Sequence, residues 1–223
     1  LVRGQGMVGV YRMSNRLNLR ELCFGETTRL RNIRRFSPAP VLHPENVAEH
    51  TFYTAWYAML IGMQLPGVNM GVLLEKALLH DIDEIMSGDI IRTFHRDGGP
   101  TERQIHKRAL DMVDSLFKRL QPSKGLASRT VRLWDTAKNK KTLEGRIVAY
   151  ADFLSVVSYV CQEVECGNVR ILDHVSDIAA YGSSFWCAPE YDFIFEVVEG
   201  HDDLVGWLLK HIDKRKNLNA LRP

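Results

Sequence analysis

The chain has 223 residues, 45% apolar and 25% charged, with 29 basic against 27 acidic side chains and a formal net charge of +2. That length suits one globular domain, and the ordinary composition excludes a disordered or fibrous chain. So balanced a charge gives no support to nucleic-acid or membrane-surface binding, although basic residues gather locally in RLRNIRR (Arg29–Arg35) and KNKK (Lys138–Lys141).

The hydrophobic period is helical nearly throughout. A first helix is expected over Glu26–Arg35, ahead of the SPAP loop (Ser37–Pro40). A second starts near Pro44, a residue suited to a first turn, and runs to about Leu65, where Pro66-Gly67 punctuates it. The third spans about Gly71–Met86, with Gly88 as its stop. Ile90–Pro100 reads as a loop with room for a short helix at its start. Thr101 opens another helix through a T-x-x-Q capping box to Gln104. After a break over Gln121–Ser128 come a shorter helix (Arg129–Ala137) and a long one (Lys141 to about Cys166). Helical stretches near Arg170–Ala180 and Glu190–Lys214 follow, separated by a loop over Tyr181–Pro189. No run alternates at a strand's period and no repeat appears, so one all-α domain is the expectation.

The remaining sequence features set the context. Cys23, Cys161, Cys166 and Cys187 lack C-x-x-C spacing and are read as reduced thiols. No unbroken run of about 18 apolar residues occurs, so no membrane span is expected. The opening LVRGQGM lacks the apolar core of a signal peptide. Met7 or Met13 is the expected natural start, residues 1–13 a flexible or appended segment, and a cytoplasmic location the default.

Chemistry concentrates in ALLHDIDEIMSGD (Ala77–Asp89). Leu73, Leu74, Ala77 and Leu78 form a helical stripe, and His80 and Asp81 extend it, each three residues beyond an apolar member. A bare carboxylate in a core is costly unless it is paired or bound to a metal. His50, three after Val47, and Asp152, three after Ala149, carry the same signature on two other helices. Two imidazoles and two carboxylates suit a first-row divalent ion, with coordination places left for water and a substrate oxygen. Each residue also has a plainer reading. A buried His is more often a satisfied core residue, a buried Asp more often caps a helix or pairs with Arg, and spacing alone does not make three helices converge.

The order His50, His80-Asp81, Asp152 spells H…HD…D, accompanied by Arg35-Phe36, ENVAEH (Glu45–His50), HDIDEIMSGD (His80–Asp89) and ADFLSVVSYV…ECGN (Ala151–Asn168). In these motifs the chain resembles the HD-domain metal-dependent phosphohydrolases, and among them the YfbR-like 5′-deoxynucleotidases, over about Arg29–Asn168. The resemblance implies an all-α HD-domain helical bundle and a divalent metal ion (Co, Mn, Fe, Ni, Zn or Mg) on His50, His80, Asp81 and Asp152. It implies a deoxynucleotide substrate, a deoxynucleoside 5′-monophosphate, and commonly a homodimer. Catalysis would rest on Glu84, Asp89 and Arg35. Glu84 falls four after His80 and three after Asp81, so on one continuous helix it shares their face, while Asp83 turns away and is read as solvated. Arg35 would contact phosphate, with Arg34 a competitor one residue away, and Arg92 is added from its loop position alone. Phe36 and Asp89 would hold the sugar.

Two departures stand out. Phe36 replaces the Trp that the family uses against the sugar, keeping an apolar wall but losing the indole N–H. The loop after Asp89 reads IIRTFHRDGG where the family is proline-rich. The alternatives are therefore a deoxynucleoside triphosphohydrolase of phage type or a non-catalytic nucleotide-binding protein.

Overall fold

Asn46 starts the helix that carries the first expected ligand. Its side chain accepts from the Glu49 N–H, and the Glu49 carboxylate accepts from the Asn46 N–H, each at 3.0 Å. This reciprocal box launches α2 over Val47–Gly62, later than the expected start near Pro44. Proline tolerates a first turn, but it offers no side-chain acceptor to the free N–H groups that a cap must satisfy. Asn46→Ala is expected to lower unfolding free energy by about 1 kcal/mol, read as a lower urea midpoint at unchanged slope.

In the computed structural model, residues 19–37, 39–88, 102–120, 124–138 and 140–220 are described. Asp89, Arg92 and the proposed Thr101 cap lie outside them, as does the N-terminal segment 1–13. Within the described residues the chain is an all-α bundle, and its strand-like element is a single antiparallel bridge between Arg34 and Asn46.

Helix α7, Leu143–Glu165, is the axis. Thr142 caps it by accepting from Gly145 N–H at 3.1 Å. Gly145 is required there, because a Cβ would stand 2.7 Å from the Thr136 carbonyl oxygen. Against α7 pack α2, α3 (Met70–Leu79), α6 (Lys124–Lys138) and α8 (Ser176–Trp186). By length and composition α7 is apolar enough to cross a membrane, although Arg146 and Asp152 interrupt its apolar run. Here it is the core helix, burying Ile147, Tyr150, Ala151, Phe153, Val157 and Val160.

Buried apolar side chains form two clusters. The larger joins Leu73 and Ala77 of α3 to α2, α7, α8 and α10 (His201–Ala220). The smaller joins Ile82 and Ile85 to α5 (Glu102–Leu120) and α6, around the buried Trp134.

Several expected boundaries move. A short α1 spans Leu19–Phe24, and the helix expected over Glu26–Arg35 is a 3-10 turn over Glu26–Asn32 followed by extended chain. Arg35 N–H bonds Glu45 O at 2.9 Å and Val47 N–H bonds Ile33 O at 3.0 Å. Phe36 then adopts φ +54°, which ends any right-handed continuation. The third helix stops at Leu79, where the i,i+4 pattern gives way to i,i+3 bonds from Ile82 N–H to Leu79 O and from Glu84 N–H to Asp81 O. A one-turn α4, Glu84–Ser87, follows, and Gly88 at φ +70° closes it. Helix α6 begins at Lys124, inside the expected break. The stretch expected over Arg170–Ala180 divides into a 3-10 turn (Val169–Asp173) and α8, which takes Tyr181–Trp186 out of the expected Tyr181–Pro189 loop. The last stretch is broken by Gly200 at φ +77° between α9 (Asp192–Phe195) and α10. Three of the four cysteines are exposed and only Cys161 is half-buried, so little packing depends on them.

Candidate metal centre

His50 comes from α2, His80 and Asp81 from the turn between α3 and α4, and Asp152 from the middle of α7. The structure brings all four together. His50 Nε2 lies 3.0 Å from Asp152 Oδ1, 3.4 Å from Asp81 Oδ2 and 3.2 Å from His80 Nε2. His80 Nε2 lies 3.0 Å from Asp81 Oδ2. The tightest group is His50, His80 and Asp152, whose ligand atoms all fall within 4.8 Å of one another. Asp81 joins it through the two imidazoles.

The outward nitrogens fix what the inward ones can do. His80 Nδ1 stands 2.7 Å from the Ala77 carbonyl oxygen, an acceptor only, so Nδ1 carries the proton and Nε2 keeps a lone pair. His50 Nδ1 pairs with Ser155 Oγ at 3.0 Å, and that hydroxyl is free to accept from Nδ1 and donate to the His50 carbonyl oxygen at 3.5 Å. Two lone pairs and two carboxylate oxygens thus face a common point from 0–11% exposed side chains and the 28% exposed Asp152. Such a set repels itself unless a cation or proton lies within it, so the donors fit a divalent ion.

Electrostatics agree with that reading. Burial and the nearby Arg35 guanidinium work against protonation of His50, but its bonds to Asp152 and Asp81 raise its pKa above the usual histidine value. Burial opposes ionisation of Asp152, yet the hydrogen bond and charge of His50 bring its pKa down to about 2.

Arg35 stands at the rim. Its Nη1 donates to Asp81 Oδ2 at 3.4 Å and its Nε pairs with Glu45 Oε2 at 3.3 Å. Burial disfavours its charge, but the carboxylates of Asp81, Asp152, Glu84 and Glu45 outweigh this and raise its pKa. Arg34 is exposed and pairs through its backbone with Asn46, so of the two arginines Arg35 reaches the cluster. Glu84 lies in α4, close enough to bias Arg35, though it is placed by the turn and not by one continuous helix. Phe36 sits beside Arg35, with the guanidinium carbon 5.8 Å from its ring centre. Its ring stacks on Tyr159 at 5.1 Å and 16°.

Three residues escaped the sequence reading. Ser155 orients His50, and its signal was a hydroxyl three residues after Asp152 in an apolar run. Glu45 secures Arg35 from within the ENVAEH motif. Asp83, expected to be solvated, accepts from Trp134 Nε1 at 3.1 Å and ties the ligand turn to α6.

The family model described as HD domain matches residues 27–178. Among solved structures, the fold is similar to an HD-domain phosphohydrolase from Listeria innocua, 22% identical with TM-score 0.65 over 86% of this chain and 97% of that one. A predicted metal-dependent phosphohydrolase from Magnetospirillum magnetotacticum is 23% identical, with TM-score 0.56 over 89% of this chain and 94% of that one. A conserved hypothetical protein from Pyrococcus furiosus is 18% identical, with TM-score 0.64 over 80% of this chain and 96% of that one. No curated protein sequence matches the chain. At these identities the structural likenesses speak for the fold and not for a substrate.

Proposed function

The chain belongs to the HD-domain family of metal-dependent phosphohydrolases, and from that premise we propose that its substrates are deoxynucleoside 5′-monophosphates, cleaved to deoxynucleoside and inorganic phosphate. The observation that carries the phosphate reading is Arg35, whose guanidinium reaches 3.4 Å from an oxygen of Asp81 inside the donor cluster. A planar fork of donors beside a cation site matches a phosphoryl group that must touch both.

In this reading His50, His80, Asp81 and Asp152 hold the ion. A bound divalent cation supplies Lewis acidity towards a phosphoryl oxygen and makes water a competent nucleophile near neutral pH. The rest falls to the chain's own groups. The Ala77 carbonyl keeps His80 in the tautomer that presents Nε2 inward, and the Ser155 hydroxyl is placed to accept from His50 Nδ1 and do the same there. Arg35 offsets charge on the phosphoryl oxygens as the water oxygen bonds to phosphorus and the bond to the 5′ oxygen breaks. Glu84 takes the proton of that water and passes it on to the departing 5′ oxygen, which leaves as an alcohol. Phe36 offers an apolar ring to the sugar, and Asp89 and Arg92 complete the expected contacts to sugar and phosphate.

The test is a panel of deoxynucleoside and ribonucleoside mono- and triphosphates with metal-loaded protein, scored separately for phosphate, pyrophosphate and triphosphate. Phosphate from the deoxy monophosphates is the expected product. Triphosphate from deoxynucleoside triphosphates would replace the reading with a triphosphohydrolase, and tight nucleotide binding without any release would make the protein a sensor.

A further inference from the structure

One stripe of α7 carries Asp152, Ser155, Tyr159 and Glu163, spaced three, four and four residues apart and therefore on one helix face. Its first half serves the metal site, through the Asp152 carboxylate and the Ser155 hydroxyl bonded to His50. Its second half holds the segment that runs from Phe36 to His43. Tyr159 stacks on Phe36 and donates its hydroxyl proton to the His43 carbonyl oxygen at 2.9 Å. Glu163, with no exposed surface, accepts from the Leu42 and His43 N–H groups at 2.8 Å each. Asn168, just past the helix, bonds both the Glu163 carboxylate at 2.5 Å and the Pro40 carbonyl oxygen at 2.7 Å.

A fully buried carboxylate is expensive unless its oxygens are well supplied with donors. Glu163 is so supplied, and three of its partners lie on the segment or beside it. Burial opposes its charge, but the N–H groups of Asn168, Leu42 and His43 hold its pKa below the usual carboxylate value. At the other end of the segment Phe36 occupies the left-handed region at φ +54°. A bulky residue persists there only when its surroundings hold it. The arrangement is a strap, fastened at three backbone atoms to the helix that also bears Asp152 and at a fourth to Asn168 just beyond it.

We infer that Tyr159 and Glu163 are positioning residues for substrate: by fastening Leu42 and His43 to the Asp152 stripe of α7, and through the Tyr159 stack on Phe36, they hold Arg35 and Phe36 at a fixed place relative to the metal site. The inference rests on the reading of Arg35 and Phe36 as substrate contacts. Neither Tyr159 nor Glu163 needs to touch substrate. The Tyr159 hydroxyl is already committed to His43, so Tyr159 offers the space beside Phe36 a ring and not a donor.

Tyr159→Phe removes a single hydrogen bond and leaves the stack, so it is the variant least able to disturb folding. With one such bond lost, KM for a deoxynucleoside monophosphate and the dissociation constant for inorganic phosphate should both rise about fivefold. Turnover should stay within about twofold and bound metal should be unchanged. Glu163→Gln, which turns an NH2 towards existing donors, should raise both constants more than about tenfold if it folds. Combined with Arg35→Lys, Tyr159→Phe should add less than the product of the two single effects, because both act through one guanidinium. Unchanged constants in Tyr159→Phe, a fall in turnover alone, or fully multiplicative effects would each overturn the inference. If the unmodified protein releases no phosphate from any nucleotide, the substrate reading fails by itself. The affinity for inorganic phosphate then decides the positioning role, weaker binding in Tyr159→Phe supporting it and equal binding overturning it.

Discussion

Asp152→Asn is expected to weaken divalent-metal binding by at least about a hundredfold, beyond the loss typical of removing only a supporting partner, and to reduce phosphate release to background. The residue is well suited to the test. Its side chain is 28% exposed and only its charge changes, so the α7 backbone and the surrounding apolar packing have no reason to move. The loss falls on the ligand set, where Asp152 Oδ1 stands 3.0 Å from His50 Nε2. Metal content after dialysis should drop while circular dichroism stays as in the parent protein. Chelation of the unaltered protein should reproduce the loss, and added metal should restore it. Stoichiometric metal and full activity in the folded variant would remove Asp152 from the site.

Glu84→Gln is expected to separate binding from chemistry. Metal content and KM should hold, while kcat falls by about 10²–10⁴-fold, the range over which a positioned base contributes. Glutamine fills the same space in α4 and keeps a polar tip near Arg35, but it cannot accept the proton of the attacking water. The residue's proximity to the site is independent of that role, since its charge already acts on Arg35 beside Asp81 and Asp152. An unchanged rate would take the base from Glu84 and leave it as a charge partner of Arg35.

Much of the candidate site was legible because polar residues held inward leave a periodic trace in an apolar stripe. His50, His80, Asp81 and Asp152 each stood where an apolar residue belonged, and each is in the cluster. What the sequence could not show was the break after Leu79. The same residues that satisfy a helical period also satisfy a run of i,i+3 turns, and only the competition for backbone acceptors decides between them. Glu84 therefore lies near His80 and Asp81, as its spacing predicts, but by way of a turn and not on one continuous helix face. The segment from Arg29 to Phe36 misled in the same way: its helical spacing is real over Glu26–Asn32, but pairing with residues 45–47 draws Arg34 and Arg35 into extended chain. Ser155, Glu45 and Asp83 escaped because their roles depend on partners far away in sequence, which periodicity does not encode.

The turn that bears His80, Asp81 and Glu84 begins where Ala77 is buried in the larger apolar cluster and ends where Ile82 and Ile85 are buried in the smaller one. His50 and Asp152 belong with the first, on α2 and α7, whereas the helix of Glu84 packs on the 3-10 turn Glu26–Asn32 and reaches the α5–α6 cluster through Ile85. On the proposed reading the turn couples the two: His80 and Asp81 share it with Glu84, so loosening the α5–α6 pair would reach metal retention and catalytic rate together.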